Sequence, residues 1–208
     1  NIRKMLSQAE KGGVQNTIQN CVTVLQNDPV LADSIRLNLL SERIDIVKPM
    51  GWQRSGPTLT DTDMMYILRR MEKYGLYSEK RVSAAIRIVA NENHYHPIRD
   101  YLNDLKWDGA ERISHALHRF LGAAEDELTA EALKIFLLGA IKRVFHPGCK
   151  FEMMLCLVGG QGAGKSSFFR LLAIKDEWFS NDLRRMDDDN VFRKLQGHWI
   201  IEMSEMIA

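Results

Sequence analysis

Apolar side chains at Ile18, Cys21, Val22 and Leu25 recur at spacings of three and four, which predicts a helix over 16–26 that Asn27-Asp28-Pro29 stops. Ile35, Leu37 and Leu39, then Ile44 and Ile46, alternate with polar residues and predict two short strands that pair across Ser41-Glu42. Residues 50–57 read as a loop. Thr60-x-x-Asp63 opens the next helix as a capping-box variant, carried by Met64, Ile67, Leu68 and Met71 to a stop at Gly75. Ser78 starts another, with Val82, Ala85, Ile86 and Val89 facing inward. Further on, Pro97 suits a first helical turn, Gly109 and Gly122 suit helix ends, and Thr129 caps a long apolar-faced helix ending near His146-Pro147-Gly148.

At Phe151 the pattern switches from helix to strand. Met153 to Val158 has the length and apolar density of a buried strand, and Ser166 to Leu172 returns to helix formers. Between them stands Gly159-Gly160-Gln161-Gly162-Ala163-Gly164-Lys165-Ser166, a complete G-x-x-x-x-G-K-[ST] loop in its strand-loop-helix setting. The glycines allow backbone angles that turn successive N–H groups inward around a polyphosphate. Lys165 reaches the β- and γ-phosphates, the following helix turns its positive end to the same anion, and the Ser166 hydroxyl is placed to ligate Mg²⁺. The expected binding set is residues 159–166 with Ser167, and the implied ligand is ATP with magnesium.

Such a loop needs an acidic partner. Trp199 to Met203 reads as a second short buried strand, with the carboxylates of Glu202 and Glu205 at or just past its C-terminal end. Ligands of doubly wound sheets gather at that edge, and an acidic residue there holds Mg²⁺ or orients the attacking water. Spacing alone does not choose between the two glutamates.

Over most of its length the chain resembles the virulence-associated protein E family, phosphate-loop proteins of phages, plasmids and genomic islands related to primase-helicases and superfamily 3 helicases. The matching blocks are His96-Pro97-Ile98-Arg99-Asp100-Tyr101-Leu102, Leu105-Lys106-Trp107-Asp108-Gly109 with Arg112-Ile113, Phe120-Leu121-Gly122, His146-Pro147-Gly148-Cys149-Lys150-Phe151, the loop, Trp178-Phe179-Ser180, and Leu195-Gln196-Gly197-His198-Trp199-Ile200-Ile201-Glu202. The resemblance implies an ATPase coupled to DNA replication or unwinding on a mobile element, acting as a homo-oligomeric ring. In related primase-helicases the Walker B glutamate aligns with Glu205, whereas in the virulence-associated group both positions are acidic. Lys165 and Glu205 are therefore the expected catalytic residues, with Glu202 beside them, and Ser166 and Glu205 the expected magnesium side.

The fold expected on this basis is an α/β P-loop NTPase core preceded by a mainly helical α+β region. The accessory domain covers 1–110, and a helical collar with the first part of the NTPase domain covers 111–208. Asn1 is no initiator, and the chain stops three residues after Glu205. In related ATPases a sensor strand lies between the Walker A and Walker B strands and an arginine finger follows, so a partial core that binds ATP weakly and turns it over poorly is expected.

Composition adds boundaries rather than chemistry. With 208 residues, 45% hydrophobic and 26% charged, the chain is long enough for one or two packed cores. Its three cysteines lack C-x-x-C pairing, and neither a signal peptide nor a bilayer-spanning run is present, so a cytoplasmic protein away from membranes is expected. The net charge is +1, and Arg69-Arg70, Lys80-Arg81 with Arg87, and Lys142-Arg143 are the best basic patches. Isolated pairs of this kind read first as solvated helix faces, so DNA as a partner rests on the resemblance. His94-x-His96 and His115-x-x-His118 lack neighbours that would complete a zinc site, and Asp187-Asp188-Asp189 reads as helix-start charge. A nucleotide-gated binding or regulatory module with little turnover is the alternative to an ATP-driven motor; a small-molecule kinase lacks identifiable lid arginines.

Overall fold

The computed structural model describes residues 1–10, 12–183 and 191–203. The chain divides into two compact units, Asn1–Pro97 and Ile98–Ala208.

The first unit is built from α1 (Ile18–Asn27), the strands β1 (Ile35–Asn38) and β2 (Arg43–Ile46), α2 (Asp61–Glu72) and α3 (Glu79–Glu92). Thr17 caps α1 by accepting the Asn20 N–H, and the helix buries Cys21, Val22, Val24 and Leu25. β1 and β2 pair antiparallel with Ile35 opposite Ile46 and Leu37 opposite Ile44, following the alternation in the sequence. Ile67 and Met71 of α2 and Val82, Ala85, Ile86 and Val89 of α3 join them in one core. Removing these side chains from water, at roughly 25 cal/mol per Å² of apolar surface, is what holds the unit together.

Two buried aspartates tie loops to that core. Asp63 completes a capping box with Thr60 and also accepts from Trp52 Nε1 at 2.7 Å and Arg54 Nε at 2.8 Å, so the 50–57 loop is pinned to the start of α2. Asp28, with no exposed surface, follows α1 and accepts from Arg70 Nε at 2.5 Å and Tyr74 Oη at 2.6 Å. Burial opposes ionisation at both sites. The Arg70 and Tyr74 donors outweigh it at Asp28, and Arg54, Trp52 and Thr60 outweigh it at Asp63, so both carboxyls lie below the ordinary aspartate value.

The second unit holds α4 (Pro97–Asp104), α5 (Ile113–Leu121), α6 (Glu127–Phe145), α7 (Lys165–Leu172), β3 (Phe179–Ser180), α8 (Val191–Leu195) and β4 (Ile200–Ile201). The long helix begins one turn earlier than expected: Asp126 is its N-cap and Thr129 the reciprocal member of a capping box. Only Leu133, Gly139 and Val144 of α6 are fully buried, while Leu128, Ile135, Leu138, Ile141 and Phe145 are exposed. Gly139 has a packing reason, because a Cβ there would meet the Phe151 ring at 2.2 Å.

β3 and β4 run parallel with Phe179 opposite Ile200 and Ser180 opposite Ile201. Aromatic edges surround them: Trp178 meets Tyr101 at 5.8 Å and Trp199 at 6.4 Å between ring centroids, and Phe169 meets Phe136 at 5.9 Å. Trp199 Nε1 also donates to the Ala140 carbonyl of α6 at 3.2 Å.

The buried strand expected over Met153 to Val158 is not formed. The segment has no ladder partner among the described residues, and Met153, Met154 and Val158 are 60%, 60% and 98% exposed. Leu155 and Leu157 are half-buried while their neighbours are exposed, so the period of two survives without the ladder. An apolar run supplies the side chains for a strand, but its backbone becomes one only where another strand takes its N–H and C=O groups. Phe192 of α8 is 82% exposed. No described helix is long and apolar enough to cross a membrane.

Candidate nucleotide site

The glycine loop enters α7 through two left-handed residues, Gly162 at φ 80° and Gly164 at φ 81°. A side chain at either would clash with its own backbone, which is why the chain can turn here only through glycine. Gly164 is the N-cap of α7, and its carbonyl accepts the Phe168 N–H at 2.9 Å. The first N–H groups of the helix have no partner within it. α7 is held by the burial of Phe168 and Phe169.

Lys165, the first helical residue, donates from Nζ to the carbonyls of Gly159 and Gly160, each at 2.8 Å. Ser166 Oγ donates to Glu202 Oε1 at 2.6 Å, a contact between residues 36 apart in sequence. Glu202 directly follows β4, and its own N–H is fixed on the Ser180 carbonyl of β3 at 2.8 Å. Its second carboxylate oxygen, Oε2, is buried and has no hydrogen-bond partner among the described residues. A buried carboxylate oxygen without a donor is costly and calls for a cation or a donor to complete it. Glu205 lies outside the described residues, as do Asp187, Asp188 and Asp189.

The remaining sequence candidates are occupied by packing. His115 Nδ1 lies 2.7 Å from Glu125 Oε1, and His118 Nδ1 lies 2.8 Å from the Ala123 carbonyl. Glu125 is a neighbour that the histidine spacing did not reveal, yet no group of three or more His, Cys, Asp or Glu among the described residues could hold a metal ion. His94 Nδ1 contacts the Asn91 carbonyl. Of the basic pairs, Arg70 is bound to Asp28, Arg81 to the Asn16 carbonyl and Arg143 to the Phe151 carbonyl. Each pair therefore has a member engaged in holding local structure.

Two residues near the loop carried no site assignment from spacing. Leu121 Cδ2 lies 3.9 Å from where a Cβ on Gly164 would stand, and the Phe120 ring is 6.5 Å from that of Phe168. The available signal was Gly122, whose left-handed cap ends α5 directly after this pair.

The glycine loop thus opens a helix whose first turn carries a serine hydrogen-bonded to the carboxylate that follows β4. The sequence profile of the virulence-associated protein E-like domain matches residues 102–208, and the chain belongs to that family. No curated protein matches the chain.

Proposed function

We propose that residues 159–167 bind the phosphates of ATP with magnesium, and that the second unit is the first part of an α/β P-loop NTPase core. In the whole protein this site hydrolyses ATP, as part of a ring-forming, DNA-associated helicase or primase ATPase of a phage or other mobile element. The observation that carries the reading is the 2.6 Å hydrogen bond from Ser166 Oγ to Glu202 Oε1. It brings the hydroxyl of the glycine loop and the strand-end carboxylate to one point beside the helix N-terminus.

The residues fit magnesium. Ser166 Oγ and the Glu202 carboxylate are hard oxygen donors, and the buried Oε2, without a hydrogen-bond partner among the described residues, is the kind of atom a hydrated divalent cation satisfies. When bound, magnesium would neutralise charge developing on the transferred phosphoryl group. Lys165 would exchange its bonds to the Gly159 and Gly160 carbonyls for phosphate oxygens, and the N–H groups of 162–167 would hold the rest of the anion. Glu205, three residues beyond Glu202, is proposed as the carboxylate that orients the attacking water. DNA and a ring of copies enter this reading through the family resemblance.

The test is Mg·ATP binding by calorimetry, followed by single-turnover hydrolysis in the whole protein with and without DNA. Lys165→Ala should abolish binding, and Glu205→Gln should retain ATP while slowing hydrolysis at least about a hundredfold. Glu202→Gln should be milder on the chemical step. A reversed ranking of the two glutamates would overturn their assignment, and tight binding without turnover would make the protein a nucleotide-gated module instead of a motor.

A further inference from the structure

We propose that Phe120 provides the stacking face for the base of the bound nucleotide, an inference that rests on residues 159–167 being the triphosphate site. The end of α5 lies near the entrance to α7. Gly122, at φ 67°, closes α5 by donating to the His118 and Leu117 carbonyls, and the preceding Leu121 brings Cδ2 to 3.9 Å from where a Cβ on the N-cap residue Gly164 would stand. Phe120 is thereby set beside Phe168, one helical turn past Gly164, with ring centroids 6.5 Å apart and planes inclined by 42°.

The two rings have opposite fates. Phe168 is 7% exposed and belongs to the packing of α7, whereas Phe120, beside it, is 66% exposed. Water contact at an aromatic ring held on a rigid helix end is unfavourable, and a flat apolar ligand relieves it. A nucleotide supplies one at the right place. Its phosphates occupy the loop and helix N-terminus, so the base must lie outside the loop, along the surface that flanks the first turn of α7.

Arg119 strengthens the assignment, because its guanidinium lies 5.6 Å from the Phe120 ring centroid. It preorganises the ring by a cation–π contact. Stacking of this kind uses the π-face that every base has, so both ATP and GTP should benefit from it.

The experiment compares Mg·ATP, Mg·GTP and Mg·tripolyphosphate, which lacks base and ribose, by titration calorimetry on the chain and on Phe120→Ala and Phe120→Trp. Phe120→Ala should weaken ATP and GTP about tenfold and leave tripolyphosphate within twofold, and Phe120→Trp should restore nucleotide affinity. Equal loss for all three ligands, or no loss for any, would overturn the role of Phe120 while leaving the phosphate site standing. If the unaltered chain bound neither ATP nor tripolyphosphate, the phosphate-site reading would fail and the proposal with it.

Discussion

The pairing of Ser166 with Glu202 makes a quantitative demand. If both groups serve one magnesium ion, removing either should cost nearly as much as removing both. The bond is short, 2.6 Å from hydroxyl to carboxylate, which is the charge-assisted range. Such bonds contribute about 1.5–3 kcal/mol when well shielded, but Ser166 is exposed and Glu202 only half-buried, so screening brings the expected coupling to about 1 kcal/mol. Ser166→Ala and Glu202→Gln should each weaken Mg·ATP about tenfold, near 1.4 kcal/mol. The double variant should then lose about twentyfold, not the hundredfold expected of independent sites. With magnesium chelated, Glu202→Gln should leave ATP affinity unchanged or slightly improved, because it removes a negative charge beside the phosphates. Calorimetry in magnesium and in EDTA measures all of these values. Additive losses, with coupling below about 0.3 kcal/mol, or equal losses with and without magnesium, would refute the shared-ion reasoning.

Gly164→Ala would force a left-handed backbone at φ 81° on a residue with a Cβ, at about 1–2 kcal/mol. Leu121 is 3.9 Å away, so strain rather than collision should act, and triphosphate affinity should fall while the helical content of the first unit, read by circular dichroism, stays unchanged. Asp28 and Asp63 titrate below their ordinary value in the fold, so their ionised forms stabilise it fully above the unfolded aspartate pKa of about 3.9. That stability should be lost as pH falls from about 4 through the lower folded values; melting temperature between pH 7 and 2.5 reads it, and Asp63→Asn should flatten the curve. Arg70→Ala would leave the fully buried Asp28 without its cation and should cost about 3 kcal/mol by urea denaturation, with Arg70→Lys retaining part of the loss.

Much of the first unit could be read from spacing, since its devices are local. The capping box of Thr60 and Asp63 needs residues three apart, the Gly75 stop needs one left-handed angle, and the β1–β2 pair needs an alternation interrupted by a turn. The shift of the α6 cap from Thr129 to Asp126 arose within the same motif, where Asp126 accepts the Thr129 N–H and Thr129 Oγ1 turns back to the Ala124 carbonyl. What spacing left out was the second use of the same atoms. Asp63 also holds Trp52 and Arg54, and Asp28 finds Arg70 and Tyr74 more than forty residues away.

For the candidate site, the sequence by itself determined the loop, its glycines, Lys165 and Ser166, because a glycine turn and the start of the helix that follows it are encoded in consecutive residues. Only the tertiary structure decided that Glu202 meets Ser166, that Lys165 rests on the Gly159 and Gly160 carbonyls, and that Phe120 stands beside Phe168 of α7. It also decided that Met153 to Val158, apolar enough for a strand, lacks a ladder among the described residues. The physical reason is the range of the forces involved. Backbone sterics and caps act within a few residues, whereas a sheet ladder or a buried carboxylate takes its partners from whichever segments packing brings within hydrogen-bond distance.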